Sequence, residues 1–104
     1  MNITLPTTLI LKALKAGYEH GFDILDVTGL PSGTVYPALR RLEREGLIES
    51  EWEPEETARE NQRPSRRYYK INAEGEAMLE TALRKYRSVV KIAPKPRTSH
   101  ASAT

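Results

Sequence analysis

Apolar residues in the first half of the chain recur at helical spacing. Leu9, Ile10, Leu11, Ala13, Leu14 and Tyr18 predict a first helix with more than one apolar stripe, so that it is buried on two sides. Thr7 or Thr8 is placed to cap its start, and Gly17 lies near its stop. A second, short helix is expected over about residues 21–27, where Phe22, Ile24, Leu25 and Val27 supply the apolar face before Thr28-Gly29 breaks it. In a third helix Val35, Leu39 and Leu42 fall at i, i+4 and i+7 and give the inward stripe. Gly33, Pro37, Arg40 and Arg44 point the opposite way, flanked by Tyr36 and Arg41. Pro37 has no backbone N–H and fits only near a first turn, which puts the start of this helix close to Ser32 or Thr34. Gly46 stands where a left-handed residue would end it, with Leu47 placed for the accompanying apolar contact.

The pattern then changes period. Residues 47–53 alternate Leu47, Glu49 and Glu51 against Ile48, Ser50 and Trp52, and residues 65–71 contain Arg67-Tyr68-Tyr69-Lys70-Ile71, so both read as strands. Residues 54–64 between them are polar, charged and free of apolar anchors, which predicts an exposed, mobile hairpin tip. Asn72 caps a last helix, with Glu74 and Glu76 in its favourable first turn. Leu79, Leu83, Tyr86 and Val90 form one stripe of that helix, with Met78, Ala82 and Val89 beside it. The order of elements is that of a winged helix-turn-helix (α-α-α-β-β-α), mainly α with a small two-stranded antiparallel β-hairpin. One domain is expected over residues 1–92, with a C-terminal dimerisation helix at about 72–92 and a disordered tail over 93–104.

Composition sharpens this outline in a few places. A chain of 104 residues has room for one small core, and a core of that size is often completed across a dimer interface. A net charge of +2 is too mild to identify a nucleic-acid partner, so the distribution of charge has to decide. Glu43, Glu45, Glu49, Glu51, Glu53, Glu55, Glu56 and Glu60 crowd the approach to the wing, whereas Arg63, Arg66, Arg67 and Lys70 dominate the return. The absence of cysteine excludes a disulfide frame, a thiol nucleophile and a cysteine zinc site. The first residues lack the pattern of a signal peptide and no apolar run approaches spanning length, so a soluble, cytoplasmic protein without a membrane partner is expected.

The run from Gly33 to Ile48 with its Tyr36-Pro37-Ala38-Leu39 core, then Trp52, Arg67-Tyr68-Tyr69-Lys70-Ile71 and Glu74-Gly75, resembles the PadR family of transcriptional regulators. The resemblance extends from Leu9 to about Leu83. It implies a winged-helix DNA-binding domain, a homodimer held largely by the C-terminal helix, and repression relieved by a small molecule or a stress signal. The single closing helix is similar to the family's shorter branch. Two departures stand out: the stretch from Gly21 to Thr34 is shorter than in many members, and Asn72-Ala73 stands where a threonine cap is common.

On this reading the partner is double-stranded DNA. Ser32 and Thr34 are placed to bond phosphates at the start of the third helix, Tyr36 to reach a phosphate or a thymine methyl, and Arg40 to make the bidentate guanine contact in the major groove. Pro37, Arg41 and Arg44 complete that face. The alternative is a solvated surface in which the arginines pair with Glu43 and Glu45. In the wing, Arg63, Arg66 and Arg67 are expected to contact phosphate or the minor groove, with strand alternation letting one of Arg66 and Arg67 face DNA squarely. Arg63→Ala should then weaken binding to all sequences and flatten its salt dependence. The alternative is a basic strand satisfied by the upstream glutamates.

Trp52 is expected opposite Tyr68 or Tyr69 as hairpin packing, with an aromatic ligand pocket at a dimer interface as the competing use. Leu79, Leu83, Tyr86 and Val90 are assigned to dimerisation, since a lone closing helix has little intrachain surface left to cover. His20 and His100 are isolated and have no metal-ligand spacing, and no nucleophile motif or phosphate loop is present. Neither metal, cofactor nor enzyme activity is expected. A protein-interaction module and a small-molecule-sensing dimer are the competing function classes.

Overall fold

A computed structural model describes residues 3–86, 92, 94 and 95. Helix α1, Leu5–Lys15, starts a turn earlier than expected, and its cap is Thr4 rather than Thr7 or Thr8. The reason is local chemistry. The Thr4 backbone N–H donates to Thr7 Oγ1 at 2.9 Å, and the Thr7 and Thr8 hydroxyls donate back to the Thr4 carbonyl at 2.9 and 2.8 Å. With those hydroxyls satisfied, Thr7 and Thr8 are buried inside the first turn. As expected, α1 is covered on two sides: Ile10, Leu11, Ala13 and Leu14 all lie in the core.

Helix α2, Gly21–Thr28, and helix α3, Ser32–Arg44, follow. Helix α3 buries Val35, Ala38, Leu39 and Leu42, the predicted stripe with Ala38 added. Pro37 lies inside the helix, on the exposed face, and the carbonyl it leaves without an i+4 donor belongs to Gly33, itself exposed. The stop is a Schellman motif: Gly46 has φ 80°, its N–H donates to the Glu43 carbonyl at 3.0 Å, and the Leu47 N–H donates to the Leu42 carbonyl at 3.0 Å. That turn drops Leu47 and Ile48 into the core and launches the first strand.

Strand β1, Ile48–Trp52, pairs antiparallel with β2, Arg67–Ile71, in a two-stranded sheet. The segment before α2 flanks the outer edge of β2, where the Tyr69 N–H donates to the Glu19 carbonyl at 2.7 Å and His20 bridges to Tyr68. The wing is thereby tied to the α1–α2 corner. The expected open tip at 54–64 contains a further helix, α4, Glu55–Glu60, with Ala58 buried. Two features of the sequence favour it: Glu55 and Glu56 lie at the positive end of the helix dipole, and Arg59 pairs with Glu55 at 3.7 Å.

Helix α5, Ala73–Tyr86, is capped as expected, with Asn72 Oδ1 accepting from the Gly75 N–H at 2.8 Å. Asn72 Nδ2 also donates to the Gly46 carbonyl at 2.8 Å, which fastens α5 to the end of α3. Of the stripe assigned to dimerisation, Leu79 is committed to the chain's own core at 1% exposure, because α5 packs directly along α1. Leu83 and Tyr86 are half-buried, and Val90 lies outside the described residues. Within the segment assigned to a tail, the Lys95 N–H donates to the Ala16 carbonyl at 2.9 Å and its ammonium lies 3.5 Å from Asp23.

Candidate nucleic-acid interface

The stripe of α3 that the core does not use is its DNA-facing candidate. Ser32, Tyr36, Pro37, Arg40, Arg41 and Arg44 are exposed and Thr34 is half-buried. No carboxylate among the described residues lies within salt-bridge distance of Arg40, Arg41 or Arg44. The pairing with Glu43 and Glu45 that would have neutralised this face is not made. Glu43 turns toward the wing instead, accepting from the Ser50 hydroxyl at 2.7 Å and from Arg67 Nη2 at 3.4 Å.

Tyr36 owes its position to a missing side chain. Its ring and hydroxyl occupy the space that a Cβ on Gly21 would take, so the phenol lies flush against the start of α2. Beyond it, α2, α3 and the wing enclose an open groove of about 860 Å³, lined by Phe22, Tyr36, Arg40, Trp52, Arg66 and Arg67 among others. Phe22 is 74% exposed and Trp52 61% exposed. Phe22 therefore departs from its expected place on the inner face of α2, which Ile24 takes, two residues and about 200° further round the helix.

The wing arginines have different surroundings. Arg67 Nε donates to Ser50 Oγ at 3.0 Å, and its guanidinium lies 5.3 Å from the centre of the Trp52 ring. The register pairs Trp52 with Arg67, while Tyr68 faces Glu51 and Tyr69 faces Ser50, so the expected aromatic pair across the hairpin is replaced by a cation on an aromatic face. Arg63 is held by Glu53 through two parallel bonds, Nη1 to Oε1 at 2.6 Å and Nη2 to Oε2 at 2.8 Å. Arg66 is exposed and its Nη1 lies 3.4 Å from His20 Nε2.

Four titratable groups respond to this packing, Arg63 itself being raised by its bonds to Glu53. The Arg63 guanidinium, joined by the Arg66 N–H and the Tyr68 hydroxyl, holds the Glu53 carboxyl down at about 2 against the opposing effect of desolvation. Burial lowers His20, with Asp23 at 3.2 Å opposing and the cations Arg66, Lys95 and Arg63 reinforcing. Burial raises Tyr69. Sequence reasoning located the α3 face but missed Gly21, Phe22, His20 and Glu53. Of these, only Phe22, on the apolar face of the second helix, carries a local signal, and its apolar character points to the core instead.

Among the described residues no helix is long and apolar enough to cross a membrane, and no group of three or more His, Asp or Glu side chains could hold a metal ion. The profile of the Transcriptional regulator PadR-like family matches residues 10–81. Among solved structures, the chain is similar to a PadR family transcription regulator from Clostridium difficile R20291, with 27% identity and a TM-score of 0.69 over 83% of this chain and 91% of that one. A transcriptional regulator from Clostridium thermocellum matches with 26% identity and a TM-score of 0.65 over 79% and 82%. BpsR of Bordetella bronchiseptica, whose DNA binding is regulated by 6-hydroxynicotinic acid, shares the fold at 17% identity and a TM-score of 0.67, covering 83% of this chain and 61% of that one. No curated protein matches the chain.

Proposed function

We propose that this chain, which belongs to the Transcriptional regulator PadR-like family, is a homodimeric repressor that reads a pseudo-palindromic operator with its two copies of α3. Regulation of transcription through DNA binding is the function of the family; the operator geometry, the sign of regulation and the dimer are the finer reading. The observation that carries it is the exposed row Tyr36, Arg40, Arg41 and Arg44, a cationic helix face with no carboxylate partner among the described residues. Helix-turn-helix docking puts such a face in the major groove, where a guanidinium at Arg40 meets guanine O6 and N7 while Ser32, Thr34 and Tyr36 bond the flanking backbone.

Two-fold symmetry sets the half-sites about one helical turn, roughly 10 bp, apart. Leu83 and Tyr86, left half-open on α5, support an interface between two copies there. A small-molecule effector belongs to the same proposal, supported by the fold likeness to BpsR. The test is fluorescence anisotropy with labelled DNA from upstream of the protein's own gene against a scrambled fragment, at two salt concentrations. A preference of about 10³ or more with steep salt dependence is expected. Equal weak binding to both fragments would overturn the reading in favour of a protein-interaction module.

A further inference from the structure

We propose that Glu53 is a positioning residue for DNA binding, closing the wing around the Arg63 guanidinium so that Arg66 is the wing cation presented to DNA. The inference rests on the reading of the chain as a DNA binder. Its foundation is the way Glu53 is used. Its side chain is 4% exposed, and its two oxygens collect four donors from three residues of the returning chain. Besides the fork from Arg63, Oε1 accepts from the Arg66 backbone N–H at 3.2 Å and Oε2 from the Tyr68 hydroxyl at 3.1 Å. The Glu53 N–H in turn donates to the Arg66 carbonyl at 2.7 Å. One carboxylate thus closes the segment containing α4 at the point where β2 begins.

The same geometry sorts the three wing arginines. Arg63 has both terminal nitrogens on Glu53, and moving it to a phosphate would strand a buried carboxylate without its counter-charge. Arg67 is held by Ser50, Glu43 and the face of Trp52. Arg66 has its backbone fixed on both sides by Glu53, yet its side chain is exposed with no carboxylate within salt-bridge distance among the described residues. Its guanidinium meets the His20 ring, Nη1 to Nε2 at 3.4 Å, but has no counter-charge there, and a fixed backbone under an exposed guanidinium without a carboxylate is the arrangement a phosphate contact needs.

The test uses the full chain, its Glu53→Gln, Arg63→Lys and Arg66→Ala variants and the Glu53→Gln/Arg63→Lys double variant, in anisotropy titrations against its own upstream fragment across a salt series. Removing a carboxylate near DNA tightens binding by electrostatics alone, so the expected weakening in Glu53→Gln, about tenfold or more, has the opposite sign. Arg63→Lys keeps the charge but loses the fork. It is expected to weaken binding to a similar degree with an unchanged salt slope, and the double variant is expected to be no weaker than either single one. Arg66→Ala is expected to reduce the slope by about one.

Wild-type binding in Arg63→Lys, or a slope reduced there as in Arg66→Ala, would overturn the proposal by making Arg63 a phosphate contact. Carbon-detected NMR titration of the Glu53 carboxyl in the wild-type chain reads the clamp without DNA. A midpoint near 2 supports it, and one in the ordinary glutamate range would overturn it. If the carboxyl titrates near 2 but the wild-type chain has no preference for its fragment, the DNA-binding reading fails and the positioning role fails with it, while the clamp survives as architecture.

Discussion

The outer face of α3 and the wing carry the same residue type, left without carboxylates on α3 and, Arg66 apart, enclosed in the wing. On α3, Arg40, Arg41 and Arg44 extend from a rigid helix with no carboxylate partner among the described residues. In the wing, Arg63 and Arg67 are each enclosed by a carboxylate and a second partner. The difference follows from how each element is stabilised. Helix α3 is held by a buried apolar stripe and a Schellman stop, so its polar face is free of structural duty. The two-stranded wing anchors to the core through Ile48 and Tyr69, with the rest of its strands half-buried or exposed, and a lone hairpin is marginal in water. Its charged side chains therefore hold the fold, through Glu53 at one end and Glu43 at the other. Arginine count along the sequence is thus a poor guide to the DNA surface.

The sharpest way to test that contrast is Arg40→Ala. It is expected to lower affinity for the native fragment by about 1–3 kcal/mol, roughly 5- to 150-fold, with little effect on scrambled DNA or on the melting temperature. Anisotropy paired with a thermal melt checks it, and a lower melting temperature with unchanged affinity would mean that α3 arginines are structural as well. Gly21→Ala comes next, because the new methyl displaces the Tyr36 ring. The expected outcome is a loss of stability on the order of 1 kcal/mol, since an exposed ring can swing aside, together with several-fold weaker binding of DNA.

Arg67→Ala should show the reverse profile to Arg40→Ala. Loss of the contacts to Glu43, Ser50 and Trp52 is expected to reduce stability by about 0.5–1 kcal/mol, discounted for their partial exposure, with the salt slope of DNA binding unchanged. Its removal also alters the emission of Trp52, the chain's one tryptophan, which gives a direct optical readout.

The smallest effect is the pH dependence of the wing. Glu53 is held at about 2 in the folded chain, below its ordinary value of 4.5, so the stability it contributes is fully present above pH 4.5. That contribution is lost as the pH falls toward 2, when the folded carboxyl takes up its proton. Acid melts of the wild-type chain should therefore fall more steeply over this interval than those of Glu53→Gln, and parallel curves would show that the clamp carries no folding energy.

By itself the sequence determined the elements that rest on apolar periodicity and on clear stops and caps along the chain, whereas the short helix α4 and the Thr4 cap of α1 lay outside that reading. The periodicity of Val35, Leu39 and Leu42, the stop at Gly46 and the cap at Asn72 are local rules, and the structure follows each of them. The exposed face of α3 was legible for the same reason, as the complement of a buried stripe. What only the tertiary structure decided depends on which groups meet across space. The pairing of Glu53 with Arg63 joins residues on either side of α4, and the register that sets Trp52 against Arg67 rather than a tyrosine depends on how the hairpin closes. Leu79 was read as surface for a partner because nothing in α5 alone reveals that α1 lies against it. Hydrophobic patterning specifies which faces are buried but not against what, whereas a charge is silenced or left free by the particular groups that fold around it.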